Sequence, residues 1–228
     1  MKDTAMLKGI LQASVVALFA LGVSPAAHAG TKTIDFTKSG AEAGWKSLVG
    51  TWKVSPKGYK PKNVFPEGTE WATTIYKKKK YSDFTLTVKT SPASEPFGNS
   101  HPVYAWVRSS YTKSGGFYWL KGYSVMANFY ESDGSLLARI YRYDSLKLEL
   151  GEGGKSEILC WKEHNVGKFS NFDLKIVAEG SSLKVYYGKK LICSATDRKF
   201  KSGSIAYTTQ NFSYENIAVP LRAVVIED

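Results

Sequence analysis

The segment Ser82-Asp83-Phe84-Thr85-Leu86-Thr87-Val88-Lys89-Thr90 alternates apolar and polar residues with a period of two. A strand turns successive side chains to opposite faces. Phe84, Leu86 and Val88 therefore share a face that can be buried, and Thr85, Thr87 and Lys89 share one that stays wet. Residues 172–177 repeat the pattern, with Phe172, Leu174 and Ile176 inward. Leu183–Tyr187 follows after the turn signal Glu179-Gly180-Ser181-Ser182, and Gly188 leads into Leu191-Ile192-Cys193. Such a succession is a β-meander. No stretch shows the three-to-four-residue recurrence of an amphipathic helix.

Further strands are expected at Gly50–Val54, Trp71–Ile75, Val103–Ser110, Gly122–Tyr130, Leu136–Tyr143, Ser204–Thr209 and Phe212–Pro220. Asp133-Gly134 is a strong hairpin turn signal between two of them. About ten to twelve short strands with regular turns argue an all-β, antiparallel sandwich or barrel. Residues 55–70 and 91–102 are loops containing Pro and Gly, long enough to border a binding face. No composition shift marks a domain boundary.

Residues 1–29 read as a secretory signal. Lys2 and Lys8 precede an apolar run from Ile10 to Val23, and Ala27-His28-Ala29 supplies the small residues of a cleavage site before Gly30. The remainder, 30–228, is expected to be one domain, periplasmic or extracellular, with no stable membrane insertion. Of the 228 residues, 31 are Lys or Arg and 20 are Asp or Glu, a net charge of +11. Loss of Lys2, Lys8 and Asp3 leaves +10. A basic surface attracts polyanions. Only Arg108, Arg139, Arg142, Arg198 and Arg222 are arginines, so most of this charge is diffuse lysine rather than the forked donors suited to anion recognition. Nucleic acid is not expected as a partner, for no recognition helix is legible. Cys160 and Cys193 read as a disulfide in an exported chain, with two buried thiols as the alternative.

The strand string resembles the concanavalin A-like jelly rolls, in particular laminin-G-like domains and bacterial 3-keto-disaccharide hydrolase-type domains. The residues carrying the resemblance are Gly44-Trp45, Gly50-Thr51-Trp52-Lys53-Val54, Tyr81–Leu86, Ala105-Trp106-Val107-Arg108, Gly122-Tyr123-Ser124-Val125, the 172–188 meander, Ser202–Tyr207, Phe212 and Glu215–Val219. It implies a two-sheet jelly-roll sandwich with one concave face, glycan-binding in many relatives and catalytic in some. It also implies that a structural Ca²⁺ could be held, with Asp35 and Glu215 as contributors.

Catalytic constellations are hard to find. Glu131-Ser132-Asp133 is the nearest string to a glucanase carboxylate set, but Leu136 takes the third position and the Asp begins a turn. Retaining hydrolysis needs two carboxyls about 5–5.5 Å apart. In the hydrolase resemblance, Ser124 and Met126 stand where Glu and Gln are expected. Lyase relatives need a His and a Tyr in the groove, and His101 could supply the imidazole. Gly151 to Ser156 lacks the spacing of a phosphate loop.

Alternation yields a better binding hypothesis. Ala105 and Val107 suit the core, which puts Tyr104, Trp106 and Arg108 on the other face. Met126, Asn128 and Tyr130, then Arg139, Tyr141 and Tyr143, fall on that face of the next strands. The expected ligand is an oligo- or polysaccharide, acidic or neutral, held by Trp106, Arg108, Asn128, Arg139 and Tyr141. Tyr104, Tyr143 and His101 are secondary candidates, and Trp45, Trp52 and Trp71 are read as core. Lys77, Lys78, Lys79 and Lys80 form a candidate polyanion contact. The competing readings are a glycan-cleaving enzyme and a structural or protein-interaction domain at the cell surface. No catalytic residue and no metal-ligand set is assigned.

Overall fold

A computed structural model describes residues 30–61, 71–91, 100–151, 154–169, 172–210 and 219–228. The signal reading at 1–29 lies outside them, as does most of the strand expected at 212–220. The described residues form β1 (Thr31–Asp35), β2 (Trp45–Val49), β3 (Trp52–Ser55), β4 (Gly58–Pro61), β5 (Trp71–Tyr76), β6 (Phe84–Thr90), β7 (Ser100–Ser114) and β8 (Phe117–Tyr130). They continue with β9 (Ser135–Lys147), β10 (Ser156–Asn165), β11 (Leu174–Glu179), β12 (Ser182–Tyr187), β13 (Lys190–Thr196), β14 (Ser204–Gln210) and β15 (Leu221–Glu227).

One sheet runs β13-β12-β11-β6-β15-β4-β3, with β1 also paired to β15; the other runs β10-β9-β8-β7-β14-β5-β2. All pairings are antiparallel. The alternation read from β6, β11 and β12 is realised. Phe84, Leu86, Val88, Leu174, Ile176, Leu183 and Val185 meet Val103, Ala105, Val107, Val125, Ala127, Phe129, Ala138 and Ile140 in one core between the sheets. Burying each large apolar side chain contributes about 1.5–3 kcal/mol. Asp133 makes the expected turn, its Oδ1 accepting from the Ser135 amide at 2.8 Å.

Strands β1, β2, β4, β10 and β15 were not expected. In β10, Ser156–Asn165, charged residues interrupt the apolar ones, because it is an edge strand with neighbours on one side only. Cys160 of β10 is bonded to Cys193 of β13. The disulfide joins the end strand of one sheet to the end strand of the other.

A bulge between Val107 and Ser110 interrupts the β7–β8 register. Arg108 sits there at φ 51°, the one left-handed non-glycine among the described residues. Such a conformation is costly for a side chain with a Cβ. The bulge is gripped from two sides. A Cβ on Gly203 would fall 2.3 Å from the Arg108 carbonyl carbon, and one on Gly122 would fall 2.8 Å from the Ser109 Cα. The bulge shifts the phase of the alternation, so Arg108 leaves the face that Trp106 occupies.

Arg108 is buried and points to the end of the opposite sheet. Its Nε donates to the Ser82 carbonyl (2.8 Å), Nη1 to those of Gly180 (2.7 Å) and Phe200 (3.4 Å), and Nη2 to Asp83 Oδ1 (3.2 Å). Next to it, the Tyr123 hydroxyl donates to Asp197 Oδ1 (2.6 Å) and accepts from the Phe200 amide (3.0 Å). Arg142 Nη1 reaches Asp197 Oδ2 at 2.6 Å.

Burial alone would raise the Asp197 pKa, but Tyr123, the Lys199 amide and Arg142 together hold it below the ordinary carboxylate range. A carboxyl depressed in the folded state stabilises above its unfolded pKa, near 4, and loses that contribution as pH falls through the folded value. Asp197→Asn is therefore expected to lower the melting temperature at pH 7, and the gap from the parent should close as pH falls below about 4. A gap that stays constant from pH 7 to pH 2 would refute the assignment.

Candidate functional site

The outer face of the seven-stranded sheet, turned from the core, is built in rungs. One rung runs Trp161–Arg139–Met126–Tyr104–Thr208–Thr73. The next runs Ile158–Tyr141–Ser124–Trp106–Ala206–Ile75–Lys46. Period-two alternation placed Tyr104, Trp106, Asn128, Arg139, Tyr141 and Tyr143 on this face, and the structure agrees, but Tyr104 and Asn128 are buried there (5% and 8% exposed), so their expected contact with a ligand is corrected.

The face is not equally open along its width. Trp106 is 0% exposed. It packs with Leu48, Val49, Ile75, Leu120, Leu146, Leu148 and Ala206 in a second apolar cluster, and its Nε1 donates to Thr208 Oγ1 at 2.9 Å. The expectation that Trp106 stacks on a ligand is corrected: apolar residues of β2, β8 and the end of β9 pack with it and leave it buried. Trp71, expected in the core, is buried, but with Tyr104 and Met126 in a third cluster rather than between the sheets. Trp52 lies in the main core and Trp45 packs against it.

Arg108 is the second correction, since the bulge sends its guanidinium to the other sheet's end. His101 is a third. It is paired with Phe129 across β7–β8 and stacks against Phe172 at 4.5 Å, on the core side. Its Nε2 lies 3.5 Å from Glu131.

What remains accessible is the β9–β10 side. Trp161 is 59% exposed and Ile158 48%. The Arg139 guanidinium lies over the Trp161 ring, 4.2 Å from its centroid. Arg139 Nη1 donates to the Tyr141 hydroxyl at 3.2 Å, while its buried Nε has no protein partner. Asn128 Nδ2 donates to the Tyr130 hydroxyl at 2.8 Å, and its buried Oδ1 likewise has none. Tyr141 and Tyr143 lie 5.6 Å apart, and Tyr143 rests on Trp106 at 5.2 Å. Burial pushes the Tyr143 phenol up to about 12 and the Tyr104 phenol beyond the ordinary range. Both stay protonated at neutral pH.

Sequence reading missed Trp161 and Ile158. The only signal was the apolar run Ile158-Leu159-Cys160-Trp161 between charged residues, which sequence alone reads equally well as a strand edge.

The four lysines of the run are all exposed but differ in their contacts. The Lys78 chain covers Gly44, while Lys79 pairs with Asp228 and lies over the Tyr81 ring. Lys46 donates to the Tyr111 hydroxyl at 3.1 Å, and that bond, with the charges of Lys46 and Lys77, holds the Tyr111 pKa below the usual phenol range. Asp35, the described one of the two suggested calcium contributors, is already engaged by its neighbours. Its Oδ1 takes two hydrogen bonds from Thr37, Lys38 stands 3.7 Å from Oδ2, and Glu215 lies outside the described residues. Among the described residues no three His, Cys, Asp or Glu side chains converge as metal ligands. No helix there is long and apolar enough to cross a membrane.

No family model matches the sequence, and no curated protein matches it. Solved structures do match. The carbohydrate-binding module CBM66 from Bacillus subtilis aligns with TM-score 0.52 and 16% identity, over 81% of this chain and 96% of that one. The VIP36 exoplasmic/lumenal domain, in a Ca²⁺/Man3GlcNAc-bound form, aligns with TM-score 0.53 and 11% identity, over 88% and 90%. Bacillus licheniformis β-glucanase aligns with TM-score 0.51 and 12% identity, over 87% and 98%. The fold is a concanavalin A-like jelly roll. At these identities the likeness is one of fold, and the function must be argued from the site.

Proposed function

We propose that this chain is a carbohydrate-binding protein without catalytic activity, and that its binding surface is the β9–β10 side of the outer face. The observation that carries the reading is Trp161, a largely exposed indole with the Arg139 guanidinium over its ring, beside Tyr141. An aromatic face accepts the C–H side of a pyranose, and the half-buried Tyr141 hydroxyl and Arg139 guanidinium beside it offer polar partners for its hydroxyls. An exposed tryptophan costs solubility, so its retention in a preorganised position fits a partner. The solved structures of the same fold, a carbohydrate-binding module and a glycan-bound lumenal domain among them, support a saccharide as that partner.

Residues 30–228 form the working domain in this reading, with 1–29 as a removable export signal. The Cys160–Cys193 disulfide supports a periplasmic or extracellular setting. The saccharide can be neutral or acidic at this surface, because Arg139 serves hydroxyl and carboxylate alike.

Affinity electrophoresis of residues 30–228 through laminarin, xylan, dextran and alginate gels tests the reading. Retardation by at least one polymer is expected. Trp161→Ala should weaken it about tenfold or more while leaving the thermal melt nearly unchanged, because Trp161 is exposed. Equal retardation of parent and Trp161→Ala would overturn the site, and no retardation by any of the four would overturn saccharide binding of these classes.

A further inference from the structure

A cavity of about 380 Å³ opens beside the Arg108 guanidinium, lined by Ser82, Asp83, Gly180, Ser181, Phe200 and two cations, Arg198 and Lys201. Its size falls within the range of small-molecule sites, about 300–1,000 Å³. Its walls come from three separate chain segments: the residues leading into β6, the β11–β12 turn and the β13–β14 connection.

One buried group holds all three. The Arg108 guanidinium binds the carbonyls of Ser82, Gly180 and Phe200, one from each segment. Asp83 Oδ1 takes a further bond from the Gly180 amide at 2.8 Å. The β13–β14 connection is fixed from its other side as well. Tyr123 lies edge-on to Phe200 at 5.3 Å, and the Asp197 amide donates to the Ser181 carbonyl at 2.9 Å. The cavity is therefore preformed, and ligand binding need not order its walls.

Charge decides what it would take. Asp83, 65% exposed, has its charge met by Arg108. Asp197 is met by Arg142. Arg198 and Lys201 are exposed and, among the described residues, have no ion-pair partner. The cavity thus offers one half-buried aromatic ring, two serines and two uncompensated cations at its rim.

We infer that this cavity is a second binding site, separate from the Trp161 surface, for a single pyranose ring bearing a carboxylate, that is, a uronic acid residue at a chain end or free. The Phe200 ring takes the apolar face of the sugar, the serines meet its hydroxyls, and Arg198 with Lys201 meets the carboxylate through charge-assisted hydrogen bonds. A neutral hexose leaves both cations unanswered and binds less well.

Protein-observed NMR titration of residues 30–228 with glucuronic acid, and with glucose as the uncharged counterpart, tests this. Shifts are expected at the amides of residues 82–83, 180–181 and 198–201, with glucuronic acid binding about tenfold or more tightly than glucose. The double variant Arg198→Met/Lys201→Met should lose that preference. Both residues are exposed, so the variant should melt like the parent. Trp161→Ala should leave these shifts intact, which separates this site from the outer face. Equal response to both sugars, retention of the preference in the double variant, or no shift at these amides with either sugar would overturn the inference.

Discussion

Arg108→Met should unfold this protein about 3–5 kcal/mol more easily than the parent, although Met fills much of the same volume. The guanidinium satisfies the carbonyls of Ser82, Gly180 and Phe200 together with Asp83. Each bond from this buried, charged donor is worth about 1.5–3 kcal/mol, and the sum is held down because Ser82 and Gly180 are exposed and their carbonyls can regain water. Asp83 adds little, since it is largely exposed and regains water. In a chain of this size each kcal/mol moves the melting temperature by about 2–4 °C, so the drop should be on the order of 10 °C. Arg108→Lys should recover little, because one ammonium cannot span a fork of acceptors. A loss under about 1 kcal/mol in urea or thermal melts would mean that Arg108 does not tie the segments together.

Reducing the Cys160–Cys193 bond, or replacing both residues by Ala, should cost about 3–4 kcal/mol. The bond closes a loop with a sequence separation of 33, for which the chain-entropy account gives that figure. The effect should also be local. Cys160 precedes Trp161, so freeing β10 loosens the strand that presents the indole. Hydrogen exchange should rise first along β10 and β13, and glycan retardation should fall at temperatures where the rest of the chain remains folded. Uniform exchange across both sheets would show that the bond stabilises without positioning the site.

Alternation made β6, β11 and β12 legible because each has one dry face and one wet face. It could not reveal β5, which is buried on both faces, as more than a generic strand. It overlooked β10, where an edge position allows charge at most residues. Its phase was right for Trp106 and wrong for Arg108, two residues later, because a bulge adds a residue to the count and no local motif announced it. For Trp106 the phase was right and the inference still failed. Facing away from the main core was equated with facing solvent, and here Trp106 is buried in a second cluster with Leu48, Val49, Leu120, Leu146 and Leu148. The site's strongest residue, Trp161, fell in the overlooked strand. Residue types along a chain record which side of a sheet is dry, and they record a second dry layer poorly.

The end position of β10 carries a consequence for the protein's behaviour in a crowded compartment. A strand with one unpaired edge and two exposed apolar side chains, Ile158 and Trp161, is a template onto which another polypeptide could pair. The register shift between Ile158 and Cys160 breaks the regular spacing of its free amides and carbonyls. Glu157, Lys162 and Glu163 place charge along the same edge. The covalent link at Cys160 holds the strand toward the second sheet rather than letting it swing outward. These features allow a sticky indole to stand at a sheet margin while the chain resists edge-to-edge aggregation.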